Sequence, residues 1–203
     1  MATLWVGAID CSFNYCGCAL LARSRRGQAP TIATARIIVN KLKGKRSSLS
    51  DLERCSDLYT EVKSFANHVM DKQGKKLFAY EVPGGSQSSR AAACLGMAKG
   101  IIGSVLAQFN YEEYTRKSWI EVALTPSQVH KWVTGNIKAS KNEIIDYVLK
   151  KYPNQIELVN KKYVVSEKHG NVFIANSYTK GEFEHIADAI VMAELGYNTS
   201  EAK

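Results

Sequence analysis

Four side chains of ligand type are spread through the chain at Asp10, Glu81, His185 and Asp188. Asp10 closes one apolar run, Leu4-Trp5-Val6-Gly7-Ala8-Ile9, and Glu81 closes another, Leu77-Phe78-Ala79-Tyr80. An unpaired carboxylate at the end of a buried strand is costly to desolvate, so each must reach water or face a cation. His185 and Asp188, three residues apart, share one face of a helix. Three carboxylates and an imidazole suit Mg²⁺ or Mn²⁺. Two such ions about 3.5–4 Å apart can activate water and stabilise the leaving oxygen of a phosphodiester. Taken singly, each residue also fits ordinary turn or helix-surface chemistry; their recurrence on separate elements is what points to a site.

Positioning these groups falls to elements that the sequence predicts in turn. Residues 4–10 read as a strand buried on both faces. The polar turn Cys11-Ser12-Phe13-Asn14-Tyr15 leads into a returning strand at 16–22, and a third strand follows at 31–39. Leu52, Cys55, Leu58, Tyr59, Val62, Phe65, Ala66 and Val69 recur at helical spacing. With a capping box at Ser50-Asp51-Leu52-Glu53 they predict a helix over about 50–71. A strand at 77–81 is stopped by Pro83-Gly84-Gly85. A helix rich in small residues runs over 86–108. Its Gly96, Gly100 and Gly103 each disfavour it by roughly 1 kcal/mol relative to alanine. Another backbone should therefore approach closely: the sheet, a partner subunit or DNA.

A strand at 119–124 precedes Thr125-Pro126-Ser127-Gln128, which caps a short helix to about 133. Ser140-Lys141-Asn142-Glu143 opens a further helix to 151, which Pro153 ends. Weak alternation over 156–175, around Lys168-His169-Gly170-Asn171, predicts a two-stranded excursion. The last helix begins near Glu182 and buries Phe183, Ile186, Ala187 and Ile190. This order describes an α/β protein whose sheet is mixed, because the first three strands are joined by hairpin-length turns.

A chain of 203 residues suits one domain with one core. Its 27 Lys+Arg against 19 Asp+Glu give +8, a balance that favours polyanionic partners such as nucleic acid. Basic stretches at 23–27 and 41–46 read either as phosphate contacts or as solvated surface. Five cysteines, Cys11, Cys16, Cys18, Cys55 and Cys94, contain no CxxC pair. They support neither a disulfide framework nor a zinc site and read as small core residues in a reducing compartment. The N-terminus lacks the charged start of a secretory signal, and no stretch approaches the roughly 18 apolar residues of a membrane span. A soluble cytoplasmic protein, not secreted and not in a membrane, is expected.

In order and spacing, these fragments resemble the RuvC family of Holliday junction resolvases. The resemblance rests on Ala8-Ile9-Asp10 with Gly17, and on Glu81 followed by Leu95-Gly96-Met97-Ala98-Lys99-Gly100. It continues through Thr125-Pro126-Ser127-Gln128-Val129 with Gly135 and Lys141, and ends in His185-Ile186-Ala187-Asp188-Ala189-Ile190. It implies an RNase H-like, RuvC-type mixed sheet of about five strands with helices on both faces. One nuclease domain would span 1–203, with a hairpin insertion at about 156–180.

The implied activity is that of a homodimeric, Mg²⁺- or Mn²⁺-dependent endonuclease with two ions per site. Such an enzyme nicks opposing strands of a four-way DNA junction and leaves 5′-phosphate and 3′-hydroxyl ends, in bacterial or phage-infected cytoplasm. By carry-over, Asp10, Glu81 and Asp188 are metal-ligating carboxylates, and His185 fills a position held by Asp in some members and His in others. Lys141 stands near the scissile phosphate, and Arg90, Lys99, Lys131 and Lys141 contact DNA. A ligating His185 must be neutral, so activity should fall in mild acid.

Three departures from the family pattern stand out. Cys11-Ser12 replaces a usual Pro-Gly, Gly84 stands where an aromatic residue often enters the junction, and His130 with Lys131 replaces a lysine. The missing aromatic favours an alternative substrate range, flaps and forks debranched by a structure-tolerant nuclease. A catalytically silent branched-DNA binder is the other alternative, but a pure binder has no need of clustered carboxylates that repel DNA.

Overall fold

Short turns tie the first three strands, β1 (Leu4–Cys11), β2 (Tyr15–Arg23) and β3 (Thr31–Val39), into an antiparallel set. Helix α1 (Ser48–Met70) carries the chain to β4 (Lys75–Glu81), parallel to β1. Helix α2 (Ser89–Glu112) carries it to β5 (Trp119–Leu124), parallel to β4. The five-stranded mixed sheet has the order β3-β2-β1-β4-β5. There follow α3 (Pro126–Thr134), α4 (Lys141–Lys151), β6 (Ile156–Val159), β7 (Lys162–His169), β8 (Val172–Tyr178) and α5 (Lys180–Glu201). This computed structural model describes residues 3–23, 29–41, 48–82, 88–112, 119–169 and 172–201. The basic stretches at 24–27 and 42–46, the Pro83-Gly84-Gly85 stop with its Gly84, the helix start at Ser86 and the Gly170-Asn171 tip lie outside the described residues.

Helices cover both faces of the sheet. On one face the register aligns Ala35, Ala19, Ala8 and Ala79 in a row across β3, β2, β1 and β4. All four are fully buried. Methyl-sized side chains leave a shallow floor, and α5 lies on it through Ile186, Ala187, Ala189 and Ile190, with Ile144, Ile145 and Val148 of α4 joining the same core. On the other face Ile9, Leu20 and Phe78 meet Leu58, Val62, Phe65 and Val69 of α1 and Ala98, Ile102, Val105 and Leu106 of α2. Each large side chain so buried contributes about 1.5–3 kcal/mol. All five cysteines are free, and Cys11, Cys16 and Cys18 sit in this second core.

Several boundaries differ from expectation. Strand β1 runs one residue past Asp10, and α1 starts at Ser48, so Ser50 lies inside the helix rather than capping it. The segment after α4 holds three strands, an antiparallel meander β6-β7-β8, not two. The weak alternation hid the third strand because much of this sheet is solvent-facing. The meander also has a job in the fold, since its side chains, with that of Gln155 just before β6, satisfy the open edge of β3. Gln155 accepts from Ile32 N (2.9 Å) and donates to Ile32 O (2.8 Å). Glu167 accepts from Ala35 N (3.0 Å), and the Tyr178 hydroxyl donates to Ala35 O (2.6 Å). An edge strand covered in this way is no longer a template for another chain.

Two expectations about α2 need correction. A Cβ built at Gly96, Gly100 or Gly103 would meet nothing within 4 Å, so it is not the sheet that compensates these glycines. The span Ser89–Phe109 is also long and apolar enough, by length and composition, to cross a membrane. Glycine and alanine supply that length, while Ala98, Ile102, Val105, Leu106 and Phe109 are spent on the core.

Candidate active site

Parallel pairing of β1 with β4 runs from Leu4↔Lys75 to Ile9↔Tyr80, so Asp10 and Glu81 each lie one residue beyond the last pair, at the carboxyl ends of neighbouring strands. Ligand sites of open α/β sheets form at such ends. Asp10 also faces Gly17 across the β1/β2 pair. A Cβ on Gly17 would collide with the backbone of His185 and Ile186, so glycine here is what lets α5 descend onto β2. The helix start is set locally: Thr179 N (2.9 Å) and Oγ1 (2.8 Å) both donate to Glu182 Oε2, which closes a capping box before the first turn. The helix so capped starts at Lys180, two residues before the Glu182 expected from the sequence, and His185 falls in its second turn.

His185 Nδ1 lies 2.8 Å from Asp10 Oδ2, which is 11% exposed. Glu81 is pushed up to about 8 by burial, and then by the charges of Asp10 and Asp188. Asp188 is likewise pushed to about 8, by burial first and by Asp10 next. All four predicted ligands therefore share one electrostatic environment. They do not form a finished cage: among the described residues, no three His, Cys, Asp or Glu side chains stand in a metal-holding group. Asp10 and His185 are the pair joined by a hydrogen bond among the described residues, and repulsion of like-charged carboxylates opposes closer approach. Three acids, two of them raised by burial and by the charge of Asp10, together with an imidazole, are a donor set that a divalent cation fits.

The predicted basic residues divide. Lys141 Nζ is 2.9 Å from Glu184 Oε2. Burial works against its charge, but Glu184, with Asp188 and Asp10 behind it, raises its pKa. Lys99 lies within electrostatic reach of Glu81, and the two line a pocket of about 270 Å³ between α2 and the β4–β5 edge. Arg90 stands apart, its guanidinium 2.6 Å from Asp51 on α1. Lys131 is exposed in the last turn of α3, and His130 Nδ1 lies 3.2 Å from Ile137 O.

Three contributors were not foreseen. Glu184 holds Lys141 at the site's rim. Tyr15 stacks on His185, with ring centroids 5.5 Å apart and 19° between planes. Arg54, buried on α1, donates to Asn40 O (2.7 Å) and Asn14 Oδ1 (2.6 Å), which braces the turn after Asp10 from behind. The same turn is closed by Ser12, whose backbone N donates to Tyr15 O at 2.8 Å while Tyr15 N donates to Ser12 Oγ at 3.1 Å. Serine thus closes the turn through its own hydroxyl. The sequence carried no periodic signal for Tyr15 or Arg54, because their partners lie 170 and 40 residues away.

No protein-family model and no curated protein matches the chain. Solved structures do. Thermus thermophilus RuvC is similar at a TM-score of 0.61 and 14% identity, over 98% of this chain and 96% of that one. T. thermophilus RuvC in complex with a Holliday junction substrate gives a TM-score of 0.61 and 14% identity over 97% and 96%. The yeast mitochondrial Holliday junction resolvase Ydc2 gives 0.53 and 13% over 97% and 78%. At such identities the likeness is one of fold.

Proposed function

From the RuvC-type, RNase H-like fold that this chain shares with those resolvases, we propose a divalent-metal-dependent endonuclease that cuts four-way DNA junctions as a homodimer. The observation that carries this reading is the meeting of Asp10 with His185 at the carboxyl end of β1, within electrostatic reach of Glu81 and Asp188. A branched-DNA substrate accords with the Holliday junction held by T. thermophilus RuvC. The open glycine face of α2 accords with a second copy of the chain.

Asp10, Glu81, His185 and Asp188 would hold Mg²⁺ or Mn²⁺, two ions per site. When bound, such ions supply water activation and charge stabilisation at a phosphodiester, leaving 5′-phosphate and 3′-hydroxyl ends. The chain's own residues do the rest. Asp10 keeps His185 Nδ1 occupied, so Nε2 is the nitrogen left for a ligand. Lys141, held at the rim by Glu184, is placed to offset negative charge on an entering phosphate. Lys99 does the same on the Glu81 side.

The test is a labelled mobile junction incubated with Mg²⁺, with cuts mapped on all four strands and flaps and forks run in parallel. Symmetric nicks on opposing strands are expected, and Asp10→Asn should abolish them while leaving junction binding intact. Undiminished cleavage by Asp10→Asn would overturn the site assignment. Cleavage of flaps with sparing of junctions would move the substrate to debranching, and no nicks on any substrate would leave a silent binder.

A further inference from the structure

Tyr15 is held more firmly than a side chain at a hairpin turn needs to be. Its backbone N and O both bond to Ser12, and the preceding Asn14 is gripped by Arg54. Its ring lies against His185 with 19° between planes, and the Lys41 ammonium sits 4.8 Å from the ring centroid. The neighbouring Tyr15 in turn raises the lysine's pKa. Lys41 stands just past the end of β3, where Tyr15 pairs with Val39. The stack Lys41–Tyr15–His185 therefore spans β3, β2 and α5 and ends on Asp10.

We propose that Tyr15 is a positioning residue that fixes the imidazole plane of His185. An imidazole can turn about its last side-chain torsion, and a half-turn would replace Nδ1 by a carbon opposite Asp10 Oδ2. The hydrogen bond selects the ring's edge, and an offset stack restricts its tilt. Together they commit Nδ1 to Asp10 and present Nε2 to whatever occupies the site. Cation and ring attract, so Lys41 keeps the tyrosine in place. The functional weight of this arrangement rests on the reading of His185 as a metal ligand, but the arrangement itself can be measured in metal-free protein.

The experiment compares wild type with Tyr15→Phe, Tyr15→Leu and Lys41→Met. One readout is the side-chain ¹⁵N spectrum of His185 without metal, the other a calorimetric titration with Mn²⁺ alone. Wild type and Tyr15→Phe should show a single tautomer protonated at Nδ1 and equal Mn²⁺ affinity. Tyr15→Leu, which keeps bulk without the ring face, should show mixed tautomers and about 10-fold weaker Mn²⁺ binding. Lys41→Met alters an exposed side chain that the core does not need and should shift the Tyr15 and His185 ring resonances together. A single tautomer and unchanged affinity in Tyr15→Leu would overturn the proposal. His185 resonances indifferent to Lys41→Met would overturn it too, even if the leucine variant failed to fold. Should wild type bind no Mn²⁺, the metal reading falls, and the tautomer spectra alone decide the role of Tyr15.

Discussion

At the scale of single residues, the site depends on one missing side chain as much as on those present. Gly17 has the backbone of His185 and Ile186 where a Cβ would go, and a backbone cannot swing aside as a flexible side chain can. Gly17→Ala should destabilise the fold by about 1–3 kcal/mol through overpacking, measured by urea unfolding, and should abolish cleavage by lifting His185 off Asp10. The acids give a second outcome. Glu81 and Asp188 are raised to about 8, so the native chain keeps protons that the unfolded chain has released. Stability from that source is present below the unfolded values and lost as pH rises toward the native ones. In metal-free buffer the melting temperature should therefore fall between about pH 5 and pH 8. Glu81→Gln should flatten the slope, as should excess Mg²⁺, which substitutes for the protons. A melting temperature that climbs over that range would contradict the arrangement.

At the scale of elements, each edge and end is closed by chemistry of a different reach. The helices α3 and α4 begin at Thr125 and Ser140 with reciprocal capping boxes, and α3 ends on Gly135 at φ 76, where glycine carries no Cβ penalty. The edge of β3 is closed from a distance of over a hundred residues, by Gln155, Glu167 and Tyr178. Gln155→Ala removes partners from both Ile32 N and Ile32 O and from Ser166 O. It should cost about 1–3 kcal/mol, read as a lower urea midpoint with an unchanged slope. An unaffected midpoint would mean that water serves those groups equally well and that Gln155 is not what seals the edge at Ile32.

At the scale of the whole molecule, a chain of net charge +8 sets lysines around the acids at the strand ends. Lys41, Lys99 and Lys141 all stand beside the carboxylates or the tyrosine at the strand ends. A polyanion approaching that end meets positive charge before it meets Asp10. Junction affinity should then fall steeply with salt, by about 10³–10⁵ between 50 and 200 mM if six to ten phosphates are engaged, in a fluorescence-anisotropy titration. A flat dependence would remove the electrostatic part of the binding reading.

What the sequence determined by itself was everything carried by short spacing. The apolar runs of β1 and β4, the stripe of α1 from Leu58 to Val69, the two capping boxes and the run from His185 to Ile190 lie where their patterns put them, because those interactions join residues a few positions apart. Leu52, read into the same stripe, is 67% exposed. The Ser50 box pointed two residues too late because the helix absorbed it. Tertiary structure alone decided the rest: the alanine floor under α5, the collision that forbids a side chain at Gly17, the brace from Arg54, the stack of Tyr15 on His185, and the third strand that shields β3. Each of these joins residues tens to more than a hundred positions apart. No periodicity encodes such pairs, and they exist only once burial of the two sheet faces has brought the strands and α5 together.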